Sequence, residues 1–104
     1  MTVVRRWEAK VARGDLGDWA ATFRQRVLPN VRKIDGFESV TFLAGQEDDP
    51  APVTVLMRWR DMEAINRFAG EDPAKTVLPD FMERFFTDYD ARATFHDELL
   101  LETK

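Results

Sequence analysis

From Val3 to Val11 the odd positions are apolar except for Arg5, and the even positions are mostly charged: Val4, Arg6, Glu8 and Lys10. This period-2 alternation predicts a strand with one buried and one wet face. After Gly14 the period changes. Leu16, Trp19, Ala20, Phe23, Val27, Val31 and Ile34 recur at helical spacing for about five turns. Asp15 is placed to cap this helix, Asp18 favours its first turn, and Asp35-Gly36 ends it. Pro29 falls inside the stripe, and its missing N–H predicts a kink or a restart near Leu28–Pro29. Alternation returns over about Phe37–Gly45 and Val53–Arg60, on either side of the acidic, two-proline linker Gln46–Pro52, which reads as a mobile connection. Asp61 then caps a second helix that buries Ala64, Ile65 and Phe68 and ends at Gly70. Asp72-Pro73 is expected to open a further helical turn, interrupted by Pro79. The dense patch Phe81, Met82, Phe85 and Phe86 follows, and a last strand is expected over about Ala91–Leu101.

Strand, helix, strand, strand, helix, strand is the ferredoxin-like plan. The fold class expected is α+β, βαββαβ, with a four-stranded antiparallel sheet and both helices on one face. No repeat or linker divides the chain, so residues 1–104 read as a single domain. The third strand places Val53, Val55, Met57 and Trp59 on one side and Leu56 on the other; the second divides Phe37 and Leu43 from Val40 and Phe42. Central strands that are apolar on both sides normally have both faces covered. A second copy is the simplest cover, so a homodimer is expected.

Composition narrows the chemistry. Of the 104 residues 44% are hydrophobic and 33% charged, which argues against disorder. The net charge of −4 comes with no basic stripe, so generic nucleic-acid or anionic-membrane binding is not expected. The absence of cysteine removes disulfides, thiol catalysis and thiolate metal sites. No run approaches the ~20 apolar residues of a membrane span. The amino terminus lacks the apolar stretch of a signal peptide, and a cytoplasmic location is the expectation.

The reactive inventory is short. Ser39 sits in mid-strand and not on a strand-to-helix turn, so no nucleophile elbow is supported. His96, the lone histidine, could serve as a general base, but it has no second histidine with which to build a metal site. Glycines are isolated and form no phosphate-binding loop, so no nucleotide cofactor is expected. The acidic pairs Asp48/Asp49 and Glu71/Asp72 read as loop solvation and a helix cap. The aromatic set offers more. Trp7, Trp59, Phe68, Phe81, Phe85, Phe86 and Phe95 can line a cavity between sheet and helices, as in pockets for flat organic molecules, or can simply fill a core. Arg5 stands between Val3 and Trp7 on a mostly apolar face, where a charge is costly unless it is paired. It would meet either a salt-bridge partner or an anionic or phenolic ligand.

Val4-Arg5-Arg6-Trp7 and the run Trp59-Arg60-Asp61-Met62-Glu63-Ala64-Ile65 followed by Phe68-Ala69-Gly70-Glu71-Asp72-Pro73 resemble the antibiotic biosynthesis monooxygenase family. The resemblance extends over nearly the whole chain. It implies a dimeric α+β barrel in which two ferredoxin-like sheets pack face to face. Members include cofactor-independent oxygenases of polycyclic phenols and anthrones, haem-degrading enzymes, and small proteins without an assigned activity. The haem-degrading pattern of Asn, Trp and His is not met: Trp7, Phe68 and Leu78 stand at the corresponding positions, and Leu78 cannot ligate iron. Similar sequences also place a Tyr before the proline that is Pro79 here, and a His-Tyr pair in the last strand; this chain has Leu78 and Phe95-His96. A histidine moved by one position in a strand changes face, so a catalytic role does not transfer directly onto His96.

The resemblance therefore implies a monooxygenase without cofactor or metal, acting on an aromatic or polyketide-like substrate. Arg5 and His96 are the candidate catalytic residues, and Trp7, Trp59, Phe68, Phe81, Phe85 and Phe95 the candidate substrate contacts. The alternatives are a non-catalytic dimer that binds a hydrophobic metabolite and a structural module without a ligand.

Overall fold

The computed structural model describes all 104 residues, Met1–Lys104. Five strands make one antiparallel sheet: β1 (Val3–Val11), β2 (Phe37–Ala44), β3 (Ala51–Trp59), β4 (Phe86–Tyr89) and β5 (Thr94–Asp97). The order is β2-β3-β1, and β4 and β5 share the far edge of β1. Three helical elements connect them. The first, α1, is a rod that is α-helical over Leu16–Thr22, π-helical over Phe23–Val27 and α-helical again over Leu28–Val31; α2 spans Met62–Ala69 and α3 the single turn Asp80–Glu83. This is the ferredoxin-like α+β arrangement. No helix is long and apolar enough to cross a membrane.

The proline in α1 is accommodated by widening the helix before it. Leu28 N–H reaches back to Phe23 O, five residues away, and the α-helix resumes with Pro29 in its first turn, where no N–H is required. Asp15 makes no capping hydrogen bond; a short 3₁₀ turn, Arg13–Asp15, precedes the helix instead. Asp61 does cap α2: its backbone is extended, and its Oδ1 accepts from Ala64 N–H at 2.9 Å.

Cross-strand register puts the odd residues of β1 and β3 on one face. Val3 lies opposite Trp59, Arg5 opposite Met57, Trp7 opposite Val55 and Ala9 opposite Val53. The helices cover this face, where Trp59, Ile65, Val11 and Val53 are the largest fully buried side chains. Burial of apolar surface here supplies the main stabilisation. In β2 the expected division is corrected. A bulge between Phe37 and Ser39 inserts one extra residue, so Phe37 shares the covered face with Val40 and Phe42, and Leu43 lies alone on the other side. The second face carries Val4, Leu43 and Leu56 among Arg6, Glu8, Lys10, Thr41, Thr54 and Arg58.

Three further expectations are corrected. The sheet has five strands where four were expected: β4 lies where only an aromatic patch was read, and the last strand, expected over about Ala91–Leu101, is β5 alone, with Leu99, Leu100 and Leu101 exposed and outside any strand. Asp72-Pro73 opens only a turn, and Pro79 precedes a helix where it was expected to interrupt one. Arg13 reaches the linker after β2: it donates to the carbonyls of Gly45 (2.6 Å) and Asp48 (2.6 and 3.0 Å), and its own N–H meets Asp49 Oδ1 at 2.9 Å.

Gly36 ties α1 to β3. Its φ of +96° suits glycine, its carbonyl accepts from Arg60 N–H at 2.8 Å, and a Cβ there would stand 2.5 Å from Ala64 Cβ. Gly36→Ala is expected to lower stability by about 2 kcal/mol, the sum of backbone strain and steric conflict. Urea unfolding followed by tryptophan fluorescence checks this; an unchanged midpoint contradicts it.

Candidate active site

The parity of β1 decides the site. With Val3, Ala9 and Val11 turned toward the helices, Arg5 and Trp7 must turn there too, because alternate residues of a strand share a face. Arg5 lies between Met57 on β3 and Phe95 on β5, and only 5% of its surface is exposed. Its Nε donates to Pro73 O at 3.1 Å and its Nη2 to Lys75 O at 2.7 Å, and the guanidinium stands 5.4 Å from the centre of the Phe68 ring. No carboxylate forms an ion pair with it: the chain's ion pairs involve Arg6, Arg58, Arg60, Arg67 and Arg92. Nη1 makes no hydrogen bond within the chain. Burial pushes the guanidinium down to about 10, so it remains charged at neutral pH.

Trp7 is fixed from its other end. Its Nε1–H is shared between Asp90 O at 2.8 Å and Thr76 Oγ1 at 3.0 Å, and Thr76 donates in turn to Asp90 O at 2.5 Å. Phe86 meets its ring edge-on, with centroids 5.2 Å apart. These bonds account for the break between β4 and β5. After a last bond to β1, from Asp90 N–H to Glu8 O at 2.9 Å, Ala91–Ala93 pairs with the segment Ala74–Thr76: Ala93 N–H donates to Ala74 O at 2.6 Å, Thr76 N–H to Ala91 O at 3.1 Å, and Arg92 clasps Asp72 through two bonds of 2.9 Å.

Between sheet, α1 and this segment lies a cavity of about 80 Å³. Arg5, Trp7, Val55 and Met57 form its floor, with Phe42 beside them on β2. Trp19, Phe23 and Val27 descend from α1, Phe68 from α2, and Val77, Leu78, Pro79, Met82 and Phe86 close the rest. Twelve of the fourteen lining residues are hydrophobic, and Arg5 is the single titratable one. The outer side of the Phe23 and Phe42 wall faces a wider open groove between α1 and β2.

Of the residues singled out in the sequence, the structure brings Arg5, Trp7, Phe68 and Phe86 together at the cavity. Trp59 is fully buried between Phe37 and Phe68, does not line the cavity, and leaves its Nε1–H without an acceptor. Phe81 and Phe85 lie beneath Arg26 and Arg84, at 3.8 and 4.0 Å, and Phe95 packs against the core beside Arg5. None of these three lines the cavity. His96 pairs with Val4 on β1, so it faces the opposite side of the sheet from Arg5, exposed and in contact with Thr94 Oγ1 at 2.8 Å. It cannot reach a ligand held beside Arg5 in the same subunit. Trp19, Phe23, Val27 and Phe42 carried the signal of apolar periodicity, but periodicity does not distinguish a cavity wall from a filled core. No group of three or more His, Asp or Glu side chains stands close enough together to hold a metal.

The model of the family described as antibiotic biosynthesis monooxygenase matches residues 1–80. Among solved structures, a monooxygenase from the gene ActVA-Orf6 of Streptomyces coelicolor, in complex with the ligand nanaomycin D, aligns with a TM-score of 0.70 at 19% identity, over 97% of this chain and 92% of that one. A conserved protein from Methanosarcina mazei Go1 gives 0.66 at 12% identity, over 92% and 91%. Rv0793 from Mycobacterium tuberculosis gives 0.60 at 14%, over 99% and 100%. Likeness at these identities carries the fold alone. A search of curated proteins gives no match.

Two outcomes follow from the bonds that hold the cavity wall. Trp7→Phe keeps the ring and removes the shared N–H, and should cost about 1 kcal/mol in a urea melt; no loss contradicts the anchoring role. The Arg92 guanidinium holds the Asp72 carboxyl below the usual aspartate range. A depressed carboxylate contributes stability above its unfolded pKa and loses it as pH falls through the folded value. Stability should therefore fall on acidification below the ordinary aspartate range, and less steeply in Asp72→Asn. Parallel melting curves for the two proteins would expose a wrong assignment.

Proposed function

We propose that this chain, which belongs to the antibiotic biosynthesis monooxygenase family, is a cofactor-independent monooxygenase that acts as a homodimer on an aromatic, polyketide-like substrate beside Arg5. The observation that carries this reading is a buried, charged guanidinium without a carboxylate in an otherwise apolar, aromatic-walled cavity. In this chemistry the substrate supplies the electrons. A phenol or enol loses its proton, the resulting carbanion reduces O₂ and forms a C–O bond, and loss of water from the hydroperoxide leaves a carbonyl. In sum, one CH₂ and one O₂ become one C=O and one H₂O.

The protein's part is to hold, dry and stabilise. Trp7 and Phe68 flank the ring, the apolar walls exclude water, and Arg5 offers a fixed positive charge to the oxygen that becomes negative. At about 80 Å³ the cavity is small against the roughly 300 Å³ or more of typical ligand sites. A polycyclic substrate therefore requires the Val77–Pro79 wall to move outward. The second copy would cover the sheet face that carries Val4, Leu43 and Leu56, as in the dimers expected of this family.

A second reading, binding without turnover, draws on one observation: Arg5 is the only titratable group lining the cavity, so no side chain there can accept the substrate's proton. The two readings separate in an oxygen electrode. The monooxygenase consumes O₂ with an anthrone or a hydroquinone, and Arg5→Ala lowers kcat about 100-fold while sedimentation shows an unchanged dimer. Full activity in that variant removes Arg5 from the mechanism. Ligand binding without O₂ uptake selects the second reading.

A further inference from the structure

We infer that the cavity is selective for the charge of its ligand: it takes an aromatic body bearing a single anionic oxygen group, a carboxylate or an acidic enol already ionised in solution, through the free edge of Arg5. This rests on the reading of the cavity as the ligand site and goes beyond it by naming the ionic form that enters.

Nε and Nη2 of Arg5 are committed to the carbonyls of Pro73 and Lys75, at 3.1 and 2.7 Å, and Trp7 Nε1 is committed to Asp90 O and Thr76 Oγ1. That leaves Nη1, which has no partner in the chain, on the one charged residue of a lining that is otherwise almost wholly apolar. Two carbonyl dipoles satisfy geometry but do not neutralise a charge that is only 5% exposed. Carboxylates pair with arginines at several other places in this chain, yet none approaches Arg5. The site thus carries an uncompensated positive charge, and a monoanion cancels it with one strong, charge-assisted bond. A neutral ligand leaves the charge as it was, and a cation adds to it. A dianion such as a phosphate ester brings a second charge, for which the lining holds no second cation.

No lining side chain can take up a proton from the ligand, so a ligand that ionises does so before it enters or loses its proton to water. The two carbonyls bound to Arg5 belong to the segment that runs on into the Val77–Pro79 wall. Anion capture at Nη1 leaves those bonds in place, so the same residue can hold both wall and ligand.

The test compares isosteres and does not depend on turnover. Benzoate and benzamide differ by a charge and little in shape, and calorimetric titration of the whole protein gives the affinity of each. Benzoate is expected to bind about tenfold or more tightly than benzamide. Arg5→Met should bring the ratio close to one while benzamide binding persists, and Arg5→Lys should retain a reduced preference for the anion. Equal affinities in the unaltered protein overturn the inference, whether or not the Met variant folds, and leave the cavity standing as a neutral ligand site. Persistence of the preference in Arg5→Met overturns it as well. Failure of both compounds to bind at millimolar concentration overturns it together with the reading of the cavity. Oxygen uptake is measured separately, so the loss of the enzymatic reading is visible on its own.

Discussion

A charged guanidinium sits on the covered, apolar side of this sheet, and the surrounding structure is arranged to meet its hydrogen-bonding needs without cancelling its charge. Arg5 cannot turn away, because the strand that buries Val3, Trp7, Ala9 and Val11 on one face buries every second residue there. The backbone responds where side chains do not. The chain after α2 leaves helical geometry at Gly70, and the carbonyls of Pro73 and Lys75 are brought to the guanidinium. Had that segment been helical, as its Asp-Pro start suggests, those carbonyls would have been engaged within the helix.

The same segment explains the broken edge of the sheet. Once Ala74–Thr76 is drawn toward Arg5, it presents its own N–H and C=O groups to Ala91–Ala93, and that stretch pairs with it in place of β1. Trp7 closes the arrangement by sharing its indole N–H between Thr76 and Asp90. Two neighbouring side chains of one strand, Arg5 and Trp7, thereby shape the wall of the cavity they line. Their polar needs are met by three backbone carbonyls and the Thr76 hydroxyl, 68 to 83 residues away in sequence. A pocket can persist beside them because the wall is held by hydrogen bonds at its polar margin, while its centre is apolar and only loosely filled.

Alternation and helical period are local properties, and they carried the elements well. The limits of β1, the Asp61 cap and the start of α2 all follow from neighbours within a turn or two, whereas α1 ends at Val31, short of the Asp35-Gly36 stop that its stripe suggested. Where the reading failed, a non-local bond had replaced a local preference. The bulge at Phe37–Ser39 is fixed by pairing with Trp59 and Arg58, and no pattern within β2 announces it. The candidate ligand contacts divided for the same kind of reason: Trp7 and Phe68 reach the cavity, Trp59 fills the core at the end of β3, and Phe95 reaches the core from the sheet edge. His96 is one residue from Phe95, and that single step places it on the far side of the sheet.

By itself, then, the amino-acid order determined the α+β plan, the family likeness and the anomaly of an arginine among apolar neighbours. Each of these is written in residue type and spacing along one stretch of chain. Only the tertiary structure decided that Arg5 meets carbonyls and no carboxylate, that Arg5 and His96 lie on opposite faces, and that Trp19, Phe23 and Phe42 wall a cavity. The physical reason is one of range. Periodicity is set by the helix and strand geometry of adjacent residues, whereas the partner of a buried charge and the space left between side chains depend on which distant segments pack together.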